Sequence, residues 1–162
     1  MARITIRRFR ASDQAAARAL IEAGLGEHFG HIDRDANPDL IDMRASYCGG
    51  TGAFFIAASE GRIVGTIGLV VESGRGRLVR LGVARAHRRR GVATALLGRA
   101  LEFARREGCS ELVVHTQPEW PDATGFYRAH GFEPCGRDAI DVHLRRAIER
   151  SPRSVRRAAP RA

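Results

Sequence analysis

Lysine is absent from this chain of 162 residues: all 27 of its basic side chains are arginine. That excludes the phosphate loop ending in Gly-Lys-Ser/Thr, whose chemistry needs an ammonium on the phosphates. Cysteine is scarce. Cys48, Cys109 and Cys135 are odd in number and widely spaced, with no C-x-x-C pair and no histidine cluster beside them. A disulfide framework and a structural zinc site are thereby excluded, and no metal is expected. No apolar run approaches the ~18 to 20 residues that span a bilayer. Residues 1–10 alternate arginine with isoleucine rather than following a basic start with a continuous apolar stretch, so no leader is recognised. The expectation is a soluble, cytoplasmic protein with no membrane partner.

What is present is a chain 44% apolar and 28% charged, which suits one globular domain and rules out a disordered, collagenous or coiled-coil chain. The net charge of +9 is unevenly placed: residues 145–162 carry seven arginines against Glu149 alone, and so account for +6 of it. The expected organisation is one domain over residues 1–146 and an Arg-rich, disordered tail over 147–162. Such a tail could touch phosphates. The body, however, lacks the interleaved aromatic and basic residues of a single-strand binder, so nucleic acid is not the expected partner.

Residues 3–8 alternate polar and apolar as a half-buried strand does. Ser12 and Asp13 supply an N-cap for a helix to about Leu25, and Pro38 can open a second short helix to about Cys48. Residues 53–59, 62–71 and 78–83, separated by the turns Glu60-Gly61 and 73–76, predict an antiparallel meander. The apolar period then switches to 3.6 over residues 93–104, with Gly108 at the C-terminal cap. A continuous apolar strand (ELVVHT), a helix over 122–130 and strands at 132–135 and 140–144 follow. The sum is an α/β (α+β) fold: a mixed, mostly antiparallel central sheet of six to seven strands flanked by about four helices.

The junction from Val83 to Thr94 concentrates the chemistry. A strand ends, a basic loop follows, and a helix starts near Gly91, where unpaired backbone N–H groups and the helix dipole favour an anion. An equally simple account is a plain helix start with solvated arginines. A dinucleotide fingerprint does not match, because Gly24, Gly26 and Gly30 are wrongly spaced and follow a helix-like segment.

The stretch Arg88, Arg89, Arg90, Gly91, Val92, Ala93 resembles the [Q/R]-x-x-G-x-[G/A] motif of the GNAT superfamily of acetyl-CoA-dependent N-acetyltransferases. Ala123, Phe126-Tyr127 and Gly131-Phe132 resemble that family's downstream pattern, and the likeness spans about residues 3–145. It implies acetyl-CoA as cosubstrate, with backbone amides of Arg88, Arg89, Arg90, Gly91, Val92, Ala93 and Thr94 around its pyrophosphate. It further implies a bulged strand ending at Val83, with Leu81 and Val83 pairing to pantetheine. The Val83 N–H would polarise the thioester carbonyl, and Tyr127 would be the acid for the departing thiolate. Core packing at a helix end is the other role open to Tyr127.

The chain departs from the family pattern twice. Trp120 stands where many relatives have Asn, leaving it as a candidate to pack against the cofactor. Arg77 stands where many have the glutamate base, so Glu72, Glu27, His28, His143 and Asp141 all remain candidates for that role. His115 and His130 show no acidic partner in sequence and are expected to be structural. Arg77 and Arg80 would suit an acceptor bearing a carboxylate or phosphate. The resemblance implies transfer of acetyl to a primary amine of a small-molecule acceptor by direct attack in a ternary complex. A non-catalytic acyl-CoA-binding regulatory module is the alternative. Homodimers are common in the family, and the oligomeric state stays open.

Overall fold

Strand β1 (Ile4–Arg8) and strand β2 (Ala53–Ser59) pair antiparallel although 44 residues separate them in sequence. Two helices fill that interval, α1 (Gln14–Phe29) and α2 (Met43–Tyr47), the latter preceded by a 3-10 turn at Pro38–Leu40. The computed structural model describes residues 2–33, 35–118 and 121–149. Trp120 and residues 150–162 of the tail lie outside them. After β2 come β3 (Arg62–Glu72), β4 (Arg75–Val83), α3 (Val92–Arg106), β5 (Glu111–Thr116), α4 (Pro121–Ala129), β6 (Glu133–Arg137) and β7 (Val142–Ala147). The seven strands form one sheet in the order β1-β2-β3-β4-β5-β7-β6, and only β4 and β5 pair in parallel. This is the mixed, mostly antiparallel sheet with four helices expected above. None of the described helices is long and apolar enough to cross a membrane.

Alternation along β2 explains how one sheet serves two cores. Ala53, Phe55 and Ala57 face α3 with Ile67, Leu69 and Leu96, while Phe54 and Ile56 face α1 and α2 with Ile21, Met43 and Tyr47. A strand covered on both faces reads as a continuous apolar run, which is why AFFIAAS is apolar up to its last residue, Ser59. The first turn of α3 lies close on β3 because Gly65 has no side chain. A Cβ there would stand 2.9 Å from Leu96 Cδ1 and 3.0 Å from Val92 Cγ1. That contact brings the start of α3 beside the end of β4.

The boundaries of the last helix and the last two strands shift by one to three residues from the sequence expectation, and three other differences have a clear cause. Helix α1 continues past Leu25 to Phe29, through Gly24 and Gly26, and stops only where Gly30 turns left-handed and donates to Gly26 O. Glycine costs a helix about 1 kcal/mol but does not end one. The turn before β4 is two residues rather than four. Ser73 and Gly74 both have positive φ, the two-residue hairpin geometry, so Arg75 and Gly76 already pair with Glu72 and Val71. The helix expected from Pro38 is split, and the Gln14 side chain spans the break, donating to Leu40 O and accepting from Met43 N–H. Asp13 stands at the N-cap of α1 but makes no side-chain bond to that helix. Its carboxylate instead accepts from Arg10 N–H and the Arg7 guanidinium, which fastens β1 to α1.

Candidate active site

The parallel pairing of β4 with β5 joins Arg75–Leu78 to Glu111–Val114 and goes no further. Both strands continue past that point, so they part, and the gap widens into a cleft of about 1330 Å³. The bend lies in β4. Thr66 is opposite Gly82 and Gly68 is opposite Val79, which leaves both Arg80 and Leu81 facing Ile67. This is a β-bulge, and Arg80 takes a left-handed φ of 54° to make it. Past the bulge, Ala84 N–H donates to Val64 O. By antiparallel alternation Val83, opposite Gly65, therefore turns its own N–H and C=O away from β3 toward the side that β5 has vacated. The carbonyl is met by Arg88 Nε at 3.0 Å.

A left-handed non-glycine residue costs about 1–3 kcal/mol and persists where its surroundings hold it. Here the Arg80 guanidinium donates to both carboxylate oxygens of Asp39, at 2.9 and 2.7 Å, and to Asn37 Oδ1 at 2.9 Å, while Thr66 Oγ1 donates to Arg80 O. The Tyr47 hydroxyl completes the cluster by donating to Asp39. Burial works to raise the Asp39 carboxyl, but the bonds from Arg80 and Tyr47 outweigh it and hold it below the usual carboxylate range. Burial and then Asp39 push the Tyr47 phenol well above its ordinary value. Arg80 is thus neutralised within the protein and is not the acceptor-binding cation it was expected to be. The 3-10 turn that carries Asp39 under the bulge is the reason.

At the other end of the cleft the chain leaves β4 through a 3-10 turn (Arg85–His87) and a loop that is left-handed at Arg89 and Gly91, then enters α3. At φ 79° Gly91 is in glycine's own territory, and a Cβ built on it would meet nothing within 4 Å. The space above that backbone is open, as a cradle for an anion requires. Of the residues expected to hold cofactor, Leu81, Val83, Arg88, Arg89, Gly91, Val92, Ala93, Thr94 and Tyr127 all border the cleft, and Arg90 does not. Arg88 is already engaged, by Val83 O and by Glu27 at 2.8 Å. Thr94 Oγ1 meets His130 Nε2 at 3.1 Å, and His130 Nδ1, facing the Phe126 carbonyl at 2.8 Å, must donate to it. His130 so ties the start of α3 to α4.

Helix α4 presents Tyr127 to the cleft from the α3 side of the sheet. Only 5% of the residue is exposed, its ring lies edge-on to Phe126 and Phe132, and burial pushes its phenol well above the ordinary value. It therefore stays protonated at neutral pH, as a proton donor must. The opposite side of the parting is lined by Arg77, His115, His28 and Glu27, while Glu72, Asp141 and His143 lie outside the lining. The local sequence around His115 points to a structural role, and nothing in the sequence singles out Asp39 or Tyr47. His115 pairs across β5 and β7 with His143, their rings stacked at 3.8 Å, and His143 Nε2 lies 2.8 Å from Asp138 Oδ2. Strand pairing thus gives His115 a histidine neighbour, and the acid Asp138 bonds that neighbour rather than His115 itself.

A family model described as "Acetyltransferase (GNAT) family" matches residues 18–132. Human N-acetyltransferase 8B is 34% identical over 122 residues, which is 71% of this chain and 54% of that protein. Rat N-acetyltransferase 8 is 34% identical over 119 residues, 69% of this chain and 54% of that protein. The chain thus spans about half the length of the curated relatives it matches. Among solved structures, a GNAT-family acetyltransferase of Staphylococcus aureus superposes with a TM-score of 0.85 at 23% identity, covering 91% of this chain and all of that one. The PaiA N-acetyltransferase of Thermoplasma acidophilum, solved in complex with coenzyme A, superposes with a TM-score of 0.78 at 15% identity, covering 90% of this chain and 99% of that one.

Proposed function

The chain belongs to the GNAT acetyltransferase family, and from that premise we propose that it is an N-acetyltransferase using acetyl-CoA, acting on the primary amine of a small-molecule acceptor by direct attack in a ternary complex. The observation that carries the proposal is the parting of β4 from β5 beside the start of α3. A strand edge without a ladder partner suits an amide-bearing arm, which can pair with it as an added strand would. A helix start with open space over Gly91 suits the pyrophosphate at the end of that arm.

Each residue then has a physical task. Leu81 and Val83 pair with the pantetheine arm, and the amides of residues 88–94 surround the pyrophosphate. The Val83 N–H, directed away from β3, donates to the thioester oxygen as negative charge develops on it. Tyr127 supplies the proton that the leaving thiolate needs. Arg88 takes a lesser part than the motif suggests, since Glu27 already neutralises it. Among the described residues Arg77 has a single ion pair, a 3.9 Å contact to exposed Glu72, and it faces the acceptor side as a cation for an acceptor carboxylate or phosphate.

Calorimetric titration with acetyl-CoA, followed by thiol release with amines, polyamines, amino acids and aminoglycosides, tests the proposal. Binding with turnover on one amine class supports it and identifies the acceptor. Binding without turnover would favour an acyl-CoA-binding module, and no binding would overturn both.

A further inference from the structure

The family glutamate is replaced by Arg77, so the group that takes the acceptor's proton must be found among the side chains of the cleft. The carboxylates there are committed elsewhere. Glu27 pairs with Arg88, and Asp39 pairs with Arg80 and accepts from Tyr47. Asp122 sits in the first turn of α4, the helix that presents Tyr127, and so belongs to the other side of the parting.

His115 is placed differently. Val114 makes the last rung with β4 opposite Leu78, so His115 is the first residue of β5 beyond the parting, level with Val79 and one residue short of the bulge. Leu112 and Val114 face the α3 core, so by strand alternation His115 projects from the other face, together with Arg77. Tyr127 reaches the same cleft from the α3 face. Donor and acceptor of protons therefore flank the parting from opposite sides, which is the arrangement in which an amine arrives on one face and a thiolate leaves toward the other.

We infer that His115 is the catalytic base of this acetyl transfer, and that His143 and Asp138 are its positioning residues. The inference rests on the acetyl-transfer proposal above. The acceptor ammonium loses two protons on becoming an amide. His115 takes one and frees the nitrogen lone pair, which forms the bond to the carbonyl carbon. The carbon–sulfur bond then breaks, Tyr127 protonates the thiolate, and the second proton from nitrogen restores Tyr127. His115 is exposed and returns its proton to solvent.

The surroundings keep His115 neutral and ready. Partial desolvation of its ring, then the His143 ring and the Arg77 guanidinium, lower its pKa below 6.5, although the residue as a whole is exposed, against a smaller opposing pull from Asp141 and Asp138 on the loop between β6 and β7. Asp138 is itself fixed by the N–H groups of Ile140 and Asp141, and it bonds His143 rather than His115.

The test is kcat/KM against pH from 5 to 9, followed by thiol release with the best amine from the screen. The wild type is expected to lose activity on the acid side with unit slope and a midpoint below 6.5, far from the titration of the acceptor's own ammonium. His115→Gln should lower kcat about 100-fold and abolish that limb while acetyl-CoA affinity stays within about twofold. His143→Gln should keep the limb but move it to higher pH, because one positive neighbour is gone. An unaltered rate in His115→Gln, a limb that survives in it, or a limb abolished by His28→Gln instead would overturn the assignment while leaving the acetyltransferase intact. A wild type that releases no thiol with any amine would overturn both.

Discussion

The two sides of the cleft were built by different routes. On the α3–α4 side the working groups sit in two short contiguous stretches, residues 88–94 and 123–132, and a loop into a helix is enough to place them. On the other side Arg77, Asp39, Tyr47, His115 and His143 come from β4, the turn before α2, α2 itself, β5 and β7. Only the sheet register brings them together. Phosphate binding relies on backbone, which a local motif can shape. Acceptor chemistry relies on side chains at specific distances, which needs the whole fold.

The largest effect expected on the contiguous side is at Tyr127. Tyr127→Phe keeps the ring between Phe126 and Phe132 and removes the proton, so kcat should fall about 100-fold or more. Acetyl-CoA affinity, read by calorimetry, should hardly move. An unchanged rate would return Tyr127 to a packing role. Next is Gly91→Val, which combines a left-handed backbone that valine resists with a side chain in the open space over Gly91, the place proposed for phosphate. Affinity for acetyl-CoA should fall about 100-fold, equivalent to roughly 2.7 kcal/mol. Normal affinity would show that the loop over Gly91 does not hold the anion.

On the assembled side, Asp39→Asn leaves the Arg80 guanidinium without its charge partner. With both side chains about a quarter exposed or less, the loss expected in urea unfolding is about 1–3 kcal/mol. The same change should reduce kcat, since Arg80 no longer clamps the bulge that aims Val83. A stability loss with normal turnover would mean that the bulge holds its shape without the clamp, and the contrast between the two sides would weaken.

This contrast also explains what could be read before any fold was known. Strand β2, the meander, α3 and the order of elements follow from apolar period and turn residues, and the loop over Gly91 follows from a motif. The length of α1 did not, because Gly24 and Gly26 look like breakers until Gly30 is seen to be the stop. Arg80 looked like a free cation because nothing in its neighbourhood announces Asp39, 41 positions earlier. His115 looked structural because its partner is 28 residues away on a strand that sits next to β5 only through the β5-β7-β6 order. Local chemistry was visible, and chemistry that depends on register was not.

The smallest effect expected compares, through pH, a carboxylate of the assembled side with one remote from the cleft. The Asp13 carboxyl is lowered first by its bonds from Arg7, with burial opposing, and Asp39 is lowered by Arg80 and Tyr47 against a larger opposing burial. Both fold with a pKa below the ordinary 3.8. Well above that value each is ionised in folded and unfolded chains alike, and its stabilisation is fully present. As pH falls toward 3.8 the unfolded chain binds protons first, so stability drops, and the loss continues until the folded carboxyl titrates. Urea midpoints measured from pH 7 to pH 3 should therefore decline. Asp13→Asn and Asp39→Asn should each start lower and decline less steeply. The Asp13 change should leave the Tyr127-dependent rate at pH 7 nearly intact, because its bonds fasten β1 to α1 and touch no strand of the cleft. The Asp39 change should lower both. If the two variants lost activity equally, the bulge would owe its shape to the stability of the domain as a whole rather than to the carboxylate beneath it.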